Sequence, residues 1–302
     1  MLPYPGFLTP LPPPLTLTTC GFTGFANLVS SRRPAPIVKI IVPIKQVPET
    51  TAVNLDEKTG TMIREGVESI VNPLDLYAIE CALQLREAHG GDVVALSMGP
   101  MRAEKALREA VAMGCDSAVL LSDKAFAGSD TWATGYALAA AIRKLAPFDL
   151  IICGERATDG DTGQVGPGIA AFLDLPVATY VGKLNEINNG SARLRRLVEG
   201  GYEQLEIQLP AVLTVVKEIA APRLPTLRGK QRSRKIDIPV WKPHDLDIDP
   251  AKIGLDGSPT RVVRIFRPKI SRTCEKLSAS SDDAVATAAD RFVQFVSEKG
   301  LL

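Results

Sequence analysis

Between residues 37 and 173 the chain alternates short apolar runs with longer stretches whose apolar positions recur at helical spacing. Residues 37–44 form an apolar run that reads as a strand buried on both faces. Residues 54–65 alternate around Lys58-Thr59-Gly60 and predict a small hairpin. Asn72-Pro73 then opens a helix. Asn72 suits the N-cap, Pro73 suits the first turn, where a missing N–H loses no intrahelical bond, and Asp75 sits near the positive end of the helix dipole. Leu74, Tyr77, Ala78, Cys81, Ala82 and Leu85 give this helix one apolar face, and Gly90-Gly91 stops it, with His89 as a capping residue. A strand over 92–98, a helix over 101–113 ended by Gly114, a strand over 118–121, a helix over 131–145 capped by Ser129 or Asp130, and a strand at 150–153 follow. Strands alternating with helices imply βαβ units and a parallel sheet covered on both faces. In such sheets a ligand lies beyond the carboxyl ends of the strands, which singles out Pro43, Met98-Gly99, residues 128–130 and residues 159–168.

The last of these is the richest in chemistry. After the strand at Leu150 come Asp159, Gly160, Asp161, Thr162, Gly163, Gln164, Val165, Gly166, Pro167 and Gly168, with four glycines and a proline placed for a helical first turn. Strand, glycine loop and helix start make a place where bare backbone N–H groups can face an anion. The glycines are not in G-x-G-x-x-G order and no Lys-Ser/Thr follows, so neither a dinucleotide fingerprint nor a P-loop fits. Asp159-x-Asp161 lacks the closing Glu of a calcium loop, the position being Ala170. Asp161-Thr162-Gly163 has no second copy to form a carboxylate dyad. A plain glycine-rich turn whose aspartates cap the helix is the structural alternative.

The pattern changes after Pro176. Residues 180–187, 192–198, 202–209 and 212–216, with a turn at Asn188-Asn189-Gly190, read as antiparallel strands. Between Arg223 and Lys242 seven Lys/Arg face a single acid, Asp237. No aromatic residue interleaves before Trp241 to stack on bases, which argues against nucleic acid. Pro222, Pro225, Pro239 and Pro243 fit an extended arm that embraces a partner. Residues 282–299 form an amphipathic helix, apolar at Val285, Phe292, Phe295 and Val296.

Composition narrows the function classes. A net charge of +1 over 302 residues excludes a protein that binds nucleic acid along its whole surface. No apolar run approaches the roughly 20 residues that span a bilayer. Five scattered cysteines without a C-x-x-C fit a reducing compartment and supply no zinc or iron–sulfur cluster. His89 and His244 are the only histidines, too few for metal clusters or histidine-based nucleophilic catalysis. Residues 1–36, with Pro12-Pro13-Pro14 and no acid, stand apart; they read as a tail outside the fold or a start placed too early, a mitochondrial transit peptide being the alternative.

Several stretches together resemble the β-subunit of electron transfer flavoproteins: Val42-Pro43-Ile44-Lys45-Gln46-Val47-Pro48, Asn72-Pro73-Leu74-Asp75 with Ala78 and Glu80, Ala112-Met113-Gly114-Cys115-Asp116, the loop 159–168, and residues 216–227 from Val216-Lys217-Glu218-Ile219 to Pro225-Thr226-Leu227. The resemblance covers residues 38–267. It implies an adenine-nucleotide-binding α/β core over 37–217, expected in flavodoxin-like strand order and followed by antiparallel strands, and a basic arm with a C-terminal helix over 218–302 that wraps an α-subunit.

In the family the nucleotide lies where Pro43, Asn72, Pro73, Leu74, Asp75, Met98 and residues 159–168 fall here. It is AMP in simple carriers. In the electron-bifurcating branch it is FAD, which takes a hydride from NADH, and the loop Asp159 to Pro167 looks like that branch. Gly160 and Gly163 would let backbone approach a diphosphate, Thr162 and Gln164 would add donors, and Asp159 or Asp161 would serve ribose hydroxyls or cap the helix. The segment at Ile219 resembles the loop that docks an acyl-CoA dehydrogenase; a quinone reductase complex is the other downstream partner implied. The expectation is a cytoplasmic electron carrier subunit whose own side chains do no redox chemistry. A nucleotide-sensing module on the same core is the reading from a different class.

Overall fold

The computed structural model describes residues 38–49, 54–55, 62–63, 69–188, 190–263 and 274–301. Its elements, in chain order, are β1 (Val38–Pro43), β2 (Gln46–Pro48), β3 (Asn54–Leu55), β4 (Met62–Ile63), β5 (Ser69–Val71), α1 (Pro73–His89), β6 (Gly91–Met98), α2 (Glu104–Met113), β7 (Ser117–Leu121), α3 (Thr131–Lys144), β8 (Leu150–Gly154), α4 (Val165–Leu173), β9 (Val177–Asn188), β10 (Ser191–Val198), β11 (Gly201–Gln208), β12 (Ala211–Val215), α5 (Leu227–Lys235), β13 (Val240–Trp241) and α6 (Asp282–Glu298). Expectations for residues 1–36 and for the turn Lys58-Thr59-Gly60 fall outside the described residues. The paired strands β3 and β4 flank that turn, Asn54 opposite Ile63 and Leu55 opposite Met62.

One nine-stranded sheet, ordered β11-β10-β9-β12-β8-β1-β6-β7-β13, organises the larger of two compact units. From β9 to β13 every neighbouring pair is parallel, while β9, β10 and β11 form antiparallel pairs. Alternate residues of each parallel strand feed two separate cores. Ile40, Val42, Val93 and Ala95 meet α1 and α2 on one face, and Ile41, Val94 and Leu96 meet α3 and α4 on the other. That double burial is why these strands are apolar throughout instead of alternating with polar residues.

Three expectations need correction. The strand order around β1 is third-second-first-fourth, as in the doubly wound dinucleotide-binding sheets, and not flavodoxin-like. Periodicity reports which faces are buried and carries no information on which side of β1 the fourth strand lands. The stretch at Val212 is β12, a parallel strand between β8 and β9; all five of its residues are buried, so it belongs to the sheet's centre. The basic segment after Arg223, expected as an extended arm, is not extended throughout. It contains α5, capped by the Thr226 hydroxyl on Gly229 N, and the edge strand β13, parallel to β7.

This segment is fastened to the core by its own cations. Arg232 donates to the carbonyls of Cys115 and Asp116 at 2.8 and 2.6 Å. Arg223 donates through Nε and Nη2 to Glu80 at 2.7 and 2.9 Å, and also to Glu87. Further on, Asp130, which caps α3 by accepting from Ala133 N, also accepts from the backbone and hydroxyl of Thr260. Ser129 does not cap the helix; its hydroxyl donates to Phe126 O. The smaller unit holds the β3–β4 hairpin and residues from Val262 onward. Within it α6 is capped by Ser281 and leaves Val285, Phe292, Val293 and Phe295 exposed. Among the described residues no helix is long and apolar enough to cross a membrane.

Glu80 is a buried carboxylate whose burial alone would raise its pKa; hydrogen bonds from Arg223 and Gln84 outweigh that and hold it below the usual range. Arg223→Ala should therefore destabilise the protein by about 1–3 kcal/mol at neutral pH, less than a fully buried pair because the guanidinium is partly hydrated. The contribution exists above the unfolded carboxyl pKa near ~4 and is lost as pH falls through the lower folded value, so the variant's deficit should shrink on acidification. Urea unfolding at neutral pH and again below the unfolded carboxyl pKa of about 4 measures it. A deficit that grows with acid would contradict the ion-pair account.

Candidate functional site

The parallel sheet has its switch point between β1 and β8: from β1 the chain builds β6 and β7 to one side, then β8 to the other. These two strands pair at Ile40–Leu150 and Ile41–Ile151 and no further, although β1 runs on to Pro43 and β8 to Gly154. β8 stays with β12 to its end, Gly154 opposite Val215. The carboxyl ends of β1 and β8 therefore diverge, and the start of α1 fills the space.

Asp75 does the filling. Its Oδ2 accepts from Lys45 N at 2.7 Å, and a Cβ placed on Gly154 would come within 2.4 Å of its Oδ1 and 2.9 Å of the Leu74 carbonyl. Only glycine allows that approach. Asn72 is the second fastening. It does hold the N-cap position, yet its side chain makes no capping bond. Instead Nδ2 donates to Arg156 O at 2.9 Å and Oδ1 accepts from Thr158 N at 3.1 Å, which ties the start of α1 to the loop after β8. Lys45 closes the ring, its Nζ donating to Asp159 Oδ1 at 2.7 Å.

The loop itself is set by its backbone. Asp161 N donates to Ala157 O at 2.8 Å, and Asp161 and Gly163 take φ values of 53° and 63°. Arg156 Nε lies 3.1 Å from Asp161 Oδ1 and 3.4 Å from Glu155 Oε1. Neither aspartate caps α4. The N-cap is Gln164, which makes no side-chain bond to the helix, and its Oε1 accepts from Thr131 Oγ1 at 3.0 Å. The capping role left open for Asp159 and Asp161 is thereby excluded, and among the described residues the first N–H groups of α4, at Val165 and Gly166, have no side-chain acceptor. Gly166 is forced by contact: a Cβ there would fall 2.6 Å from Thr214 Cγ2. Gly160 and Gly168 have nothing within 4 Å of an added Cβ, so their bareness is not demanded by the chain's own packing. Pro167 lies in the first turn of α4.

The structure thus gathers Pro43, Asn72, Pro73, Leu74, Asp75 and residues 159–168 at one sheet edge. Met98 ends β6 at the same edge, half-buried against the second core. Ile219 lies elsewhere, in a 3-10 turn after β12, partly buried against the first core. Exposed leucines follow it, Leu224 and Leu227 at 86% and 81%. Sequence reasoning did not assign roles to Lys45, Gly154, Arg156 or Thr214. Thr214 carried a signal, being the one polar residue in an otherwise apolar strand; Gly154 and Arg156 are placed by tertiary geometry that no local pattern encodes.

A doubly wound sheet with a glycine loop and a helix start at its switch point defines an α/β protein of the kind in which ligands lie beyond the carboxyl ends of the strands. Comparison with known proteins makes this specific. Residues 59–246 match the electron transfer flavoprotein domain. A protein named electron transfer flavoprotein subunit beta from Thermoanaerobacterium thermosaccharolyticum is 46% identical over 84% of this chain and 97% of its own length. Caffeyl-CoA reductase-Etf complex subunit CarD of Acetobacterium woodii is 45% identical over 82% of this chain and 95% of its own. Protein FixA of Azorhizobium caulinodans is 42% identical over 82% and 91%. The chain belongs to the electron transfer flavoprotein family.

Burial pushes the Asp75 carboxyl up to about 7, against the lowering effect of its hydrogen bonds to Lys45 and Asn72. A carboxyl raised in the folded state stabilises fully below its unfolded pKa near ~4 and loses that contribution as pH rises to about 7. Between about pH 5 and about pH 8 the wild-type protein should lose about 2–3 kcal/mol from this group. In Asp75→Asn that component is removed, and unfolding curves at the two pH values should draw together by this amount. An unchanged pH dependence would place the Asp75 charge in water.

Proposed function

We propose that this chain is the β-subunit of a heterodimeric electron transfer flavoprotein and that FAD occupies the crevice beyond β1 and β8. The observation that carries the cofactor assignment is the rim itself: a loop without bulky side chains at residues 160–163, running into a helix start that no side chain caps. Of the loop 159–168, the N–H groups of residues 162–166 would hold the diphosphate, because those of Gly160, Asp161 and Gly168 already donate to carbonyls of the chain and Pro167 has none. Thr162 and Gln164 would add side-chain donors. Lys45 and Arg156 already neutralise Asp159 and Asp161, which reduces the repulsion that carboxylates would exert on phosphate. The flavin supplies hydride acceptance and electron transfer when bound; the side chains of this subunit position it and shield it from water.

The α-subunit is assigned as the partner because α6 carries an apolar face with Val285, Phe292, Val293 and Phe295 exposed, more than a solitary helix keeps in water. The docking role of Ile219 extends to the exposed Leu224 and Leu227 beside it in sequence. The name of the Acetobacterium relative, a subunit of a caffeyl-CoA reductase complex, supports an acyl-CoA-type enzyme downstream. NADH is assigned as the electron donor of a bifurcating complex in the cytoplasm, on the composition of the loop.

Co-expression with the candidate α-subunit, followed by release of cofactors on denaturation, tests this reading. Two FAD and no AMP per heterodimer are expected, with bleaching of the flavin by NADH. One FAD and one AMP would make the protein a simple carrier with AMP in this crevice. No complex and no nucleotide would overturn the assignment.

A further inference from the structure

A single residue beside the crevice has a backbone that its type disfavours. Tyr180, in β9, adopts a φ of 57°, the left-handed region in which a bulky aromatic residue is a true outlier. The cause lies in the pairing of β9 with β12. Ala178 stands opposite Leu213 and Val181 opposite Val215, so Thr179 and Tyr180 together face Thr214 alone. That is a bulge in a parallel pair, an uncommon place for one, and bulges typically re-aim a side chain beside a functional site.

The bulge is held in place. Thr214, almost fully buried, accepts from Tyr180 N through Oγ1 at 3.1 Å while its methyl group presses on Gly166 at the start of α4. Tyr180 is level with the carboxyl end of β8, since Val181 pairs with Val215 and Val215 with Gly154. Its side chain reaches the glycine loop: a Cβ on Gly163 would lie 3.8 Å from Tyr180 Oη. The residue is 45% exposed, and among the described residues its hydroxyl has no hydrogen-bond partner. A phenol without a partner in the protein, aimed by a strained bulge at Gly163, is positioned as a wall of an anion cradle and contributes nothing evident to the fold.

We propose that Tyr180 is a cofactor-binding residue whose hydroxyl donates a hydrogen bond to a phosphate oxygen of the nucleotide held over Gly163. This rests on the nucleotide assignment above and adds to it a residue and an atom. Because the acceptor is charged, the bond should be worth about 10- to 100-fold in affinity. The strain also makes a separate statement: replacing Tyr180 by glycine relieves the left-handed φ, so it should raise or leave unchanged the thermal stability of the nucleotide-free protein while weakening binding.

The test uses the heterodimer stripped of nucleotide. Affinities for AMP, FAD and adenosine are measured by calorimetry on wild type, Tyr180→Phe and Tyr180→Gly, with melting curves for each without ligand. Tyr180→Phe should bind AMP and FAD about 10- to 100-fold more weakly and adenosine, which has no phosphate, equally well. Tyr180→Gly should show at least the same loss with no fall in melting temperature. Wild-type affinity for AMP and FAD in Tyr180→Phe would overturn the proposal while leaving the nucleotide site intact, as would an equal loss for adenosine, which would locate the contact on the nucleoside. Failure of the wild-type heterodimer to bind any of the three would overturn the site and this residue together.

Discussion

The divergence of β1 and β8 is the constraint on which the site depends. Two parallel strands that stopped pairing early would leave backbone groups and a cleft open at their ends. The chain fills that space with the first turn of α1. Asp75 accepts the N–H of Lys45 that would otherwise lack a partner at the end of β1, and Gly154 gives way on the other wall. A carboxylate is costly in such a place, as its raised pKa records. It persists because the same turn carries Asn72, and Asn72 fixes the loop after β8 by satisfying Arg156 O and Thr158 N. Removing the turn would release both the strand end and the loop at once.

Thr214 plays the matching part on the far side of β8. One side chain presses its methyl against Gly166 and offers its hydroxyl to the backbone of Tyr180, so the start of α4 and the bulge in β9 share a single support. Valine would keep the methyl contact and take away the acceptor of the Tyr180 N–H; serine would keep the hydrogen bond and lose the wedge. The requirement for both functions explains a threonine in a strand whose other four residues are alanine, valine and leucine.

How much of this was legible in the sequence follows from what local pattern can encode. The alternation of apolar runs with helical spacing located β1, α1, β6, α2, β7, α3 and β8, and the glycines with Pro167 located the loop and α4, because burial on two faces and helix caps leave marks within a few residues. Strand order left no such mark. The placement of β12 was misread for a related reason: it follows a run of hairpin-spaced strands, and proximity in sequence suggested one more antiparallel partner. Its unbroken burial was the better signal. The helix α5 was obscured by its composition, since five cations in nine residues look unlike an amphipathic helix. Its packing partners, the carbonyls at Cys115 and Asp116, are acceptors that any Arg-rich segment can find only in three dimensions. Asn72 shows the limit most clearly. The N-cap position was readable, but the direction of its side chain depended on a loop about 85 residues away.

The charges of the chain bear on how a nearly neutral protein would hold the anion proposed for its crevice. Many of its cations are committed to its own carboxylates and carbonyls: Arg223 to Glu80 and Glu87, Arg86 to Asp116, Arg232 to the Cys115 and Asp116 carbonyls just past α2, Lys45 and Arg156 to the loop aspartates. The side chains at the crevice therefore offer little net field, and under the proposed assignment the attraction for phosphate would come from oriented backbone N–H groups at residues 162–166, those of Gly160 and Asp161 being spent on Ala157 O. Such a cradle discriminates by shape and hydrogen-bond geometry more than by charge, and it is weak unless neighbouring groups add donors at the right distance. In the proposed site, Thr162 and Gln164 would supply them from within the loop. Tyr180 comes from outside it, and only because a bulge in β9 turns a residue that regular pairing would have pointed elsewhere.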